Sequence, residues 1–188
     1  MLGDGLIIPG TKMQSLYDLL SDRRSIRHYE DRDIPDEIIS KIVDTGILAP
    51  SSRNIRPVHF VVVKDKEKLA ALSKCNVTGG SLIKGANAAI VVVADTSKAD
   101  AWIEDCSVAM TNMMLMATDL GIGSCWVQVR LRKSMSGKPG GEVVRDVIKL
   151  PDGFEAEAIL SLGYTTVVKD PVKVDDEKRK EVVHREKF

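Results

Sequence analysis

Cysteine is scarce and unpaired in this 188-residue chain: Cys75, Cys106 and Cys125 form no Cys-x-x-Cys pair and have no adjacent histidine. That pattern argues against a disulfide framework, a zinc site and an iron–sulfur cluster. It suits buried or half-buried thiols in a reducing compartment. Excess charge is missing too. The 27 basic and 27 acidic residues cancel, and no block of like charge stands out, so no net field draws the chain to nucleic acid or an anionic membrane. Long apolar runs are absent. Leu6-Ile7-Ile8 follows no basic segment and is too short for a signal core or a membrane span. Residues 1–11 are therefore expected to form a short extension, and the protein to be cytoplasmic.

Nucleotide-binding signatures are also lacking. Gly121-Ile122-Gly123 leaves a helical pattern and opens a strand, the reverse of the dinucleotide fingerprint, and no Walker-type Gly-Lys-Ser/Thr occurs. His28, His59 and His184 are too far apart in sequence to suggest a site. There is no internal repeat. With 29% charged and 44% apolar residues, the composition is that of an ordinary globular chain, and residues 12–188 suit a single domain.

What is present is a cluster, Arg23-Arg24-Ser25-Ile26-Arg27-His28-Tyr29. Alone it reads as a solvated basic turn, because arginines are mostly exposed. Yet guanidinium forks match phosphate oxygens bidentately, and a serine among them adds a neutral donor. The question it raises is which anion it holds, and with what help.

The remaining chain alternates helical and extended patterns. Residues 13–23 carry Leu16, Leu19 and Leu20 at helical spacing. A second helix starts at Pro35-Asp36, shows an apolar face from Ile38 to Leu48, and is stopped by Pro50. Between it and the strand His59–Val63 lies Pro50-Ser51-Ser52-Arg53-Asn54-Ile55-Arg56-Pro57, which reads equally as a plain turn or as a polar cradle for a planar ligand. A charged helix over 65–74 turns Leu69 and Leu72 inward, and 76–84 with Gly79-Gly80 reads as a flexible link. Ala88–Ala94 is continuously apolar, hence a strand buried on both faces. Residues 97–120 form the longest helical pattern, apolar beyond a single stripe, which places it in the core or at a subunit interface. Its methionines suit packing, and Gly121 suits the helix end. Beyond the strand through Cys125 and Trp126 come a loop over 130–141, a helix over 142–149, a strand Ala156–Leu162 and a charged tail. Val182 and Val183 are expected to pair there as an extra strand.

Five motifs in order, Arg-Arg-Ser-Ile-Arg-His-Tyr, Ile-Pro-Asp-Glu-Ile-Ile, Ala-Pro-Ser-Ser-Arg-Asn-Ile-Arg-Pro, Leu-Gly-Ile-Gly-Ser-Cys-Trp and Leu-Ser-Leu-Gly-Tyr, resemble the FMN-dependent nitroreductases from about Leu16 to Tyr164. The resemblance implies an α+β, three-layer fold: a central mixed, mostly antiparallel sheet flanked by helices, in an intertwined homodimer with FMN at the interface. It implies that Arg23, Ser25 and Arg27 hold the FMN phosphate, ribityl chain and pyrimidine edge, with Arg24 beside them. Pro50, Ser51, Ser52 and Asn54 would come from the partner subunit, Asn54 reaching toward the ring. Gly121, Gly123, Ser124, Cys125 and Trp126 would line the flavin's other side, mostly through backbone, and Lys178 or Arg179 would complete the phosphate site.

The activity implied is hydride transfer from NADH or NADPH through flavin N5 to a small electron acceptor such as a nitroaromatic or quinone, in ping-pong order. No catalytic side-chain set and no metal are called for, and no nucleic-acid or membrane partner. Two departures stand out. Arg56 occupies a position where the family commonly has glutamine, and the chain lacks the extra helices of longer members. A non-catalytic FMN-binding sensor, or an FMN enzyme specialised for dehalogenation or flavin fragmentation, would use the same binding residues.

Overall fold

A computed structural model describes residues 15–188; the expected 1–11 extension and the start of the first helical pattern lie outside them. The elements run α1 (Leu16–Asp22), α2 (Asp36–Ile47), a 3-10 turn (Ser52–Asn54), β1 (Val58–Val63), α3 (Lys66–Leu72), a 3-10 turn (Ser81–Gly85), β2 (Ala88–Asp95), α4 (Trp102–Asp119), β3 (Gly123–Gln128), α5 (Gly140–Ile148), β4 (Phe154–Gly163) and α6 (Asp176–Val182).

The sheet order is β1-β2-β4-β3, antiparallel at every pairing. A single parallel bridge, Ser25 to Ser124, is added from outside it. β2 and β4 lie at the centre, and every residue of β2 is buried. Alternation then divides the sheet. Ala88, Ile90, Val92 and Ala94 face α2 and α4, while Ala89, Val91 and Val93 face α3 and α5. The bulge at Val92/Val93 leaves Glu157 without a partner on β2, so Ala156 and Ile159 share the α3/α5 face although three positions separate them.

Helix ends follow local chemistry. Ser15 and Asp65 cap α1 and α3 by accepting from Asp18 and Lys68 amides. α4 closes with Gly121 at φ +70°, its amide bonded to Thr118 and the Ile122 amide to Ala117, the double bond pattern that favours glycine there.

Leu16 and Leu20 on α1 are 65% and 48% exposed, with no described element packed over that face. Two expectations change. Val183 ends α6 instead of pairing with Val182 in a strand; the acidic first turn and basic last turn favour the helix. Residues 76–84 are not a slack link. The Asn76 carboxamide accepts from the Thr78 and Gly79 amides and donates to the Gln128 carbonyl at 2.9 Å, and a 3-10 turn follows.

Candidate functional site

The chain leaving α1 is extended alongside the first residues of β3, with the Ile26 amide donating to the Ser124 carbonyl at 2.9 Å. Gly123 permits that approach, since a Cβ there would come within 2.9 Å of Ile26 Cγ2. Tyr29 pins the other end. Its hydroxyl donates to the Ile26 carbonyl at 2.8 Å and shares a 2.7 Å hydrogen bond with Ser161 Oγ. Burial pushes the Tyr29 phenol well above its ordinary pKa, against the opposing pull of Ser161. The ring rests on Gly163, where a Cβ would sit 2.6 Å from Tyr29 Cγ.

Extension sorts the arginines by alternation. Arg23, Ser25 and Arg27 fall on one side, around Cys125. Burial pushes the Cys125 thiol up, and Arg27, a hydrogen bond with Ser25, Lys169 and Arg23 each pull it back. Arg24 falls on the other side with Ile26, lining a hollow of about 160 Å³ with Thr118, Gly121 and Gly123. Its guanidinium donates to the Asp170 carbonyl. Lys169 lies in the tail and donates from Nζ to the Ser25 carbonyl at 2.8 Å.

Lys169 and Asp22 line the same hollow as Arg24. Guanidinium, ammonium and hydroxyl donors on one segment and its tail have the donor chemistry of a phosphate site. Next to them, Arg27, His28 and Tyr29 form one wall of a cavity of about 510 Å³, with Thr78, Gly79 and Ser81 opposite. That volume is in the range of small-molecule and cofactor sites. Among the described residues there is no metal-ligating cluster and no helix long and apolar enough to cross a membrane.

The other expected half of the site lies elsewhere in the protomer. Pro50, Ser51, Ser52 and Asn54 precede β1, at the opposite edge of the sheet from β3, roughly 14 Å away by three strand spacings. The loop has a built shape. Arg53, Asn54 and Arg56 all have left-handed backbone, with φ of 52°, 54° and 54°. Ser51 Oγ accepts from the Arg56 amide at 2.9 Å, and Arg56 Nε donates to Asn54 Oδ1 at 2.8 Å.

The β3 residues divide as well. Gly123, Ser124 and Cys125 are buried beside the arginine segment. Trp126 faces the α2/α4 layer, its indole donating to Gln128 Oε1 at 2.8 Å, and Gln128 donating to Glu157 Oε1 at 2.9 Å. Gly121 is exposed at the end of α4. Lys178 and Arg179 sit on the exposed α6, with Arg179 3.9 Å from Asp176.

The tail cation that the structure brings to Ser25 is Lys169. The sequence carried no signal for it: an isolated lysine in a charged tail has no register until Ser21 and Val172 bind one another, amide to carbonyl at 2.8 Å and hydroxyl to carbonyl at 2.6 Å. Asn76, which braces the cavity wall, was hidden in what read as a glycine link.

The nitroreductase family model matches residues 20–78 and 74–164. A protein of Archaeoglobus fulgidus, provisionally named NADH dehydrogenase/NAD(P)H nitroreductase, is 39% identical over 180 residues, covering 94% of this chain and 100% of that protein. The solved FMN-dependent nitroreductase of Clostridium difficile R20291 superposes with a TM-score of 0.87 at 40% identity, over 92% of this chain and all of that one. A provisionally named nitroreductase of Desulfovibrio desulfuricans, solved in complex with FMN, shares the fold at a TM-score of 0.76 and 23% identity, over 94% of this chain and 99% of that one. With these motifs in register on this antiparallel sheet, the chain belongs to the nitroreductase family.

Proposed function

We propose that the protein is an FMN-dependent oxidoreductase that uses NADH or NADPH to reduce small acceptors such as nitroaromatics or quinones. The observation that carries this reading is the extended Arg23–Arg27 segment beside Ser124, to which Lys169 is fastened by a 2.8 Å hydrogen bond from Nζ to the Ser25 carbonyl. The donor set fits a dianionic phosphate, and the adjacent cavity of about 510 Å³ has room for a ring system. The FMN-dependent Clostridium difficile enzyme, 40% identical, supports the cofactor, and the name of the Archaeoglobus relative supports the reductant.

Bound FMN would supply the redox chemistry at N5, taking hydride from the nicotinamide and passing it to the acceptor in ping-pong order. The chain's own residues bind and orient it. Arg23 and Ser25, with Lys169, hold the phosphate. Arg27 lies where the segment meets the cavity and would place positive charge at the pyrimidine edge, where negative charge gathers on reduction. Gly123, Ser124, Cys125 and Trp126 would form the strand end beside that segment, with Gly121 at the helix end before it. Arg24 grips the tail that carries Lys169, and Lys178 or Arg179 would join the phosphate site only if α6 closed over it.

The loop Pro50–Asn54 sits at the wrong edge of the sheet to reach the same protomer's arginine segment, so a second copy would supply it. The exposed apolar face of Leu16, Tyr17 and Leu20 on α1 supports a homodimer with flavin at the interface. A flavin-binding module without turnover is the second reading, favoured by Arg56 Nε occupying the Asn54 carboxamide oxygen.

The test is anaerobic stopped-flow. The purified protein should be yellow, release FMN on heating, and bleach when mixed with NADH or NADPH. A flavin that binds but does not bleach selects the sensor, and a protein that binds no FMN removes both readings.

A further inference from the structure

The loop Ser51–Arg56 holds three non-glycine residues in the left-handed region, Arg53, Asn54 and Arg56. Such backbone is strained and persists only where its surroundings over-determine it. What holds this loop from below is a carboxylate. Asp105, in the first turn of α4 and 5% exposed, accepts the Ser52 amide on Oδ1 at 2.8 Å. Its other oxygen, Oδ2, is buried without a hydrogen-bond partner. Asp105 lines a cavity of about 80 Å³ whose other polar walls are Ser51 and Arg56.

We propose that Asp105 is the positioning residue of this loop, and that its second oxygen is completed through that cavity by Ser51. The donor inventory supports the pairing. Ser51 Oγ already accepts the Arg56 amide, which leaves its own proton to give. A cavity of this size between two polar groups has room for a bridging water. Asp105 thereby links Ser52 directly and Arg56 through Ser51, fixing both ends of the left-handed stretch that presents Asn54. A buried carboxylate that served only packing would be an expensive choice among Phe60, Val58 and Ala109.

The consequence for catalysis rests on the reading that Asn54 faces the flavin; the anchoring of the loop does not. The test therefore begins on the cofactor-free protein, with amide hydrogen exchange across residues 51–56. Asp105→Ala should cut protection of the Ser52 amide by about tenfold or more, the loss of one hydrogen bond to a charged group. Asp105→Asn keeps an acceptor for Ser52 and should retain most of that protection. Ser51→Ala, far milder for folding, should lower protection at Arg56 and leave Ser52 protected. Unchanged exchange at Ser52 in Asp105→Ala, or at Arg56 in Ser51→Ala, overturns the proposal. In the FMN-loaded enzyme, Asp105→Ala should lower kcat and shift the visible flavin spectrum, and Asp105→Asn should recover both. A loop loosened in the cofactor-free protein with no change in the loaded enzyme would leave the anchor standing and remove Asn54 from the flavin site.

Discussion

Lys169 Nζ donates to the carbonyl of Ser25 at 2.8 Å, joining two residues 144 positions apart. The contact fastens the tail to the arginine segment and brings a cation to it. Removing it should therefore damage anion binding as well as tail order. Lys169→Met is expected to raise the FMN Kd by about 10- to 150-fold, the worth of one charged hydrogen bond of about 1.5–3 kcal/mol. Lys169→Arg should recover part of the loss. Fluorescence quenching of added FMN measures both, and an unchanged Kd in Lys169→Met would place the tail outside the site.

Gly163 is where the sheet accepts the arginine segment. A Cβ there would lie 2.5 Å from Asn87 Oδ1 and 2.6 Å from Tyr29 Cγ, and neither side chain is free to move. The Asn87 carboxamide is bonded to the Glu30 carbonyl at 2.9 Å and Tyr29 to Ile26 and Ser161. Gly163→Ala should cost about 1–3 kcal/mol by overpacking, lowering Tm by about 3–10 °C in a domain of this size. FMN affinity should fall with it, because the displaced element is Tyr29. A thermal melt within a degree of the parent would contradict that packing.

Three buried acids tie stability to alkaline pH. Burial pushes Cys75 up to about 11 and Cys106 up to about 12, and raises the Tyr29 phenol as well. For Cys106, Glu157 and Asp105 add to the effect. All three folded values lie above the unfolded ones, near 8.5 for a thiol and 10 for a phenol. Their contribution is thus fully present below about pH 8.5 and is lost as pH rises toward the folded values. Urea midpoints should be flat from about pH 6 to 8 and fall above about 9, with native thiols slow toward Ellman's reagent at pH 8. Rapid labelling of all three thiols in the folded protein would contradict their burial.

Leu16 and Leu20 expose an apolar face on α1 that no described element covers. Leu16→Glu with Leu20→Glu should leave the monomer fold intact, since neither side chain is buried, yet shift the mass in solution from dimer to monomer and weaken FMN binding. A dimer that survives both substitutions would put the interface elsewhere.

The layers were legible because burial leaves a periodic mark. Ala88–Ala94 reads as a two-face strand and is one, and Gly121 announces the end of α4. The arginine segment stands out in sequence as a cluster of anion-suited donors, and the division of Arg23, Ser25 and Arg27 from Arg24 follows from alternation once the segment is known to be extended. Other features had no local signature. Lys169 acquires meaning only through Ser25, and Asn76 only through Gln128. The helix α1 was legible, but helical periodicity marks an apolar stripe without saying which molecule covers it. Val182 and Val183 misled because β-branched residues also close a short helix whose charges suit its dipole.

Arg23 and Ser25, with Lys169, are proposed to form a phosphate site, and the comparison of FMN with riboflavin isolates that phosphate. Dissociation constants for both should be measured by fluorescence on the parent protein and on Arg23→Ala. FMN is expected to bind at least about 100-fold more tightly than riboflavin to the parent, with most of that gap lost in Arg23→Ala while riboflavin is little changed. Equal affinity of the parent for the two flavins, or a gap that survives Arg23→Ala intact, would contradict it.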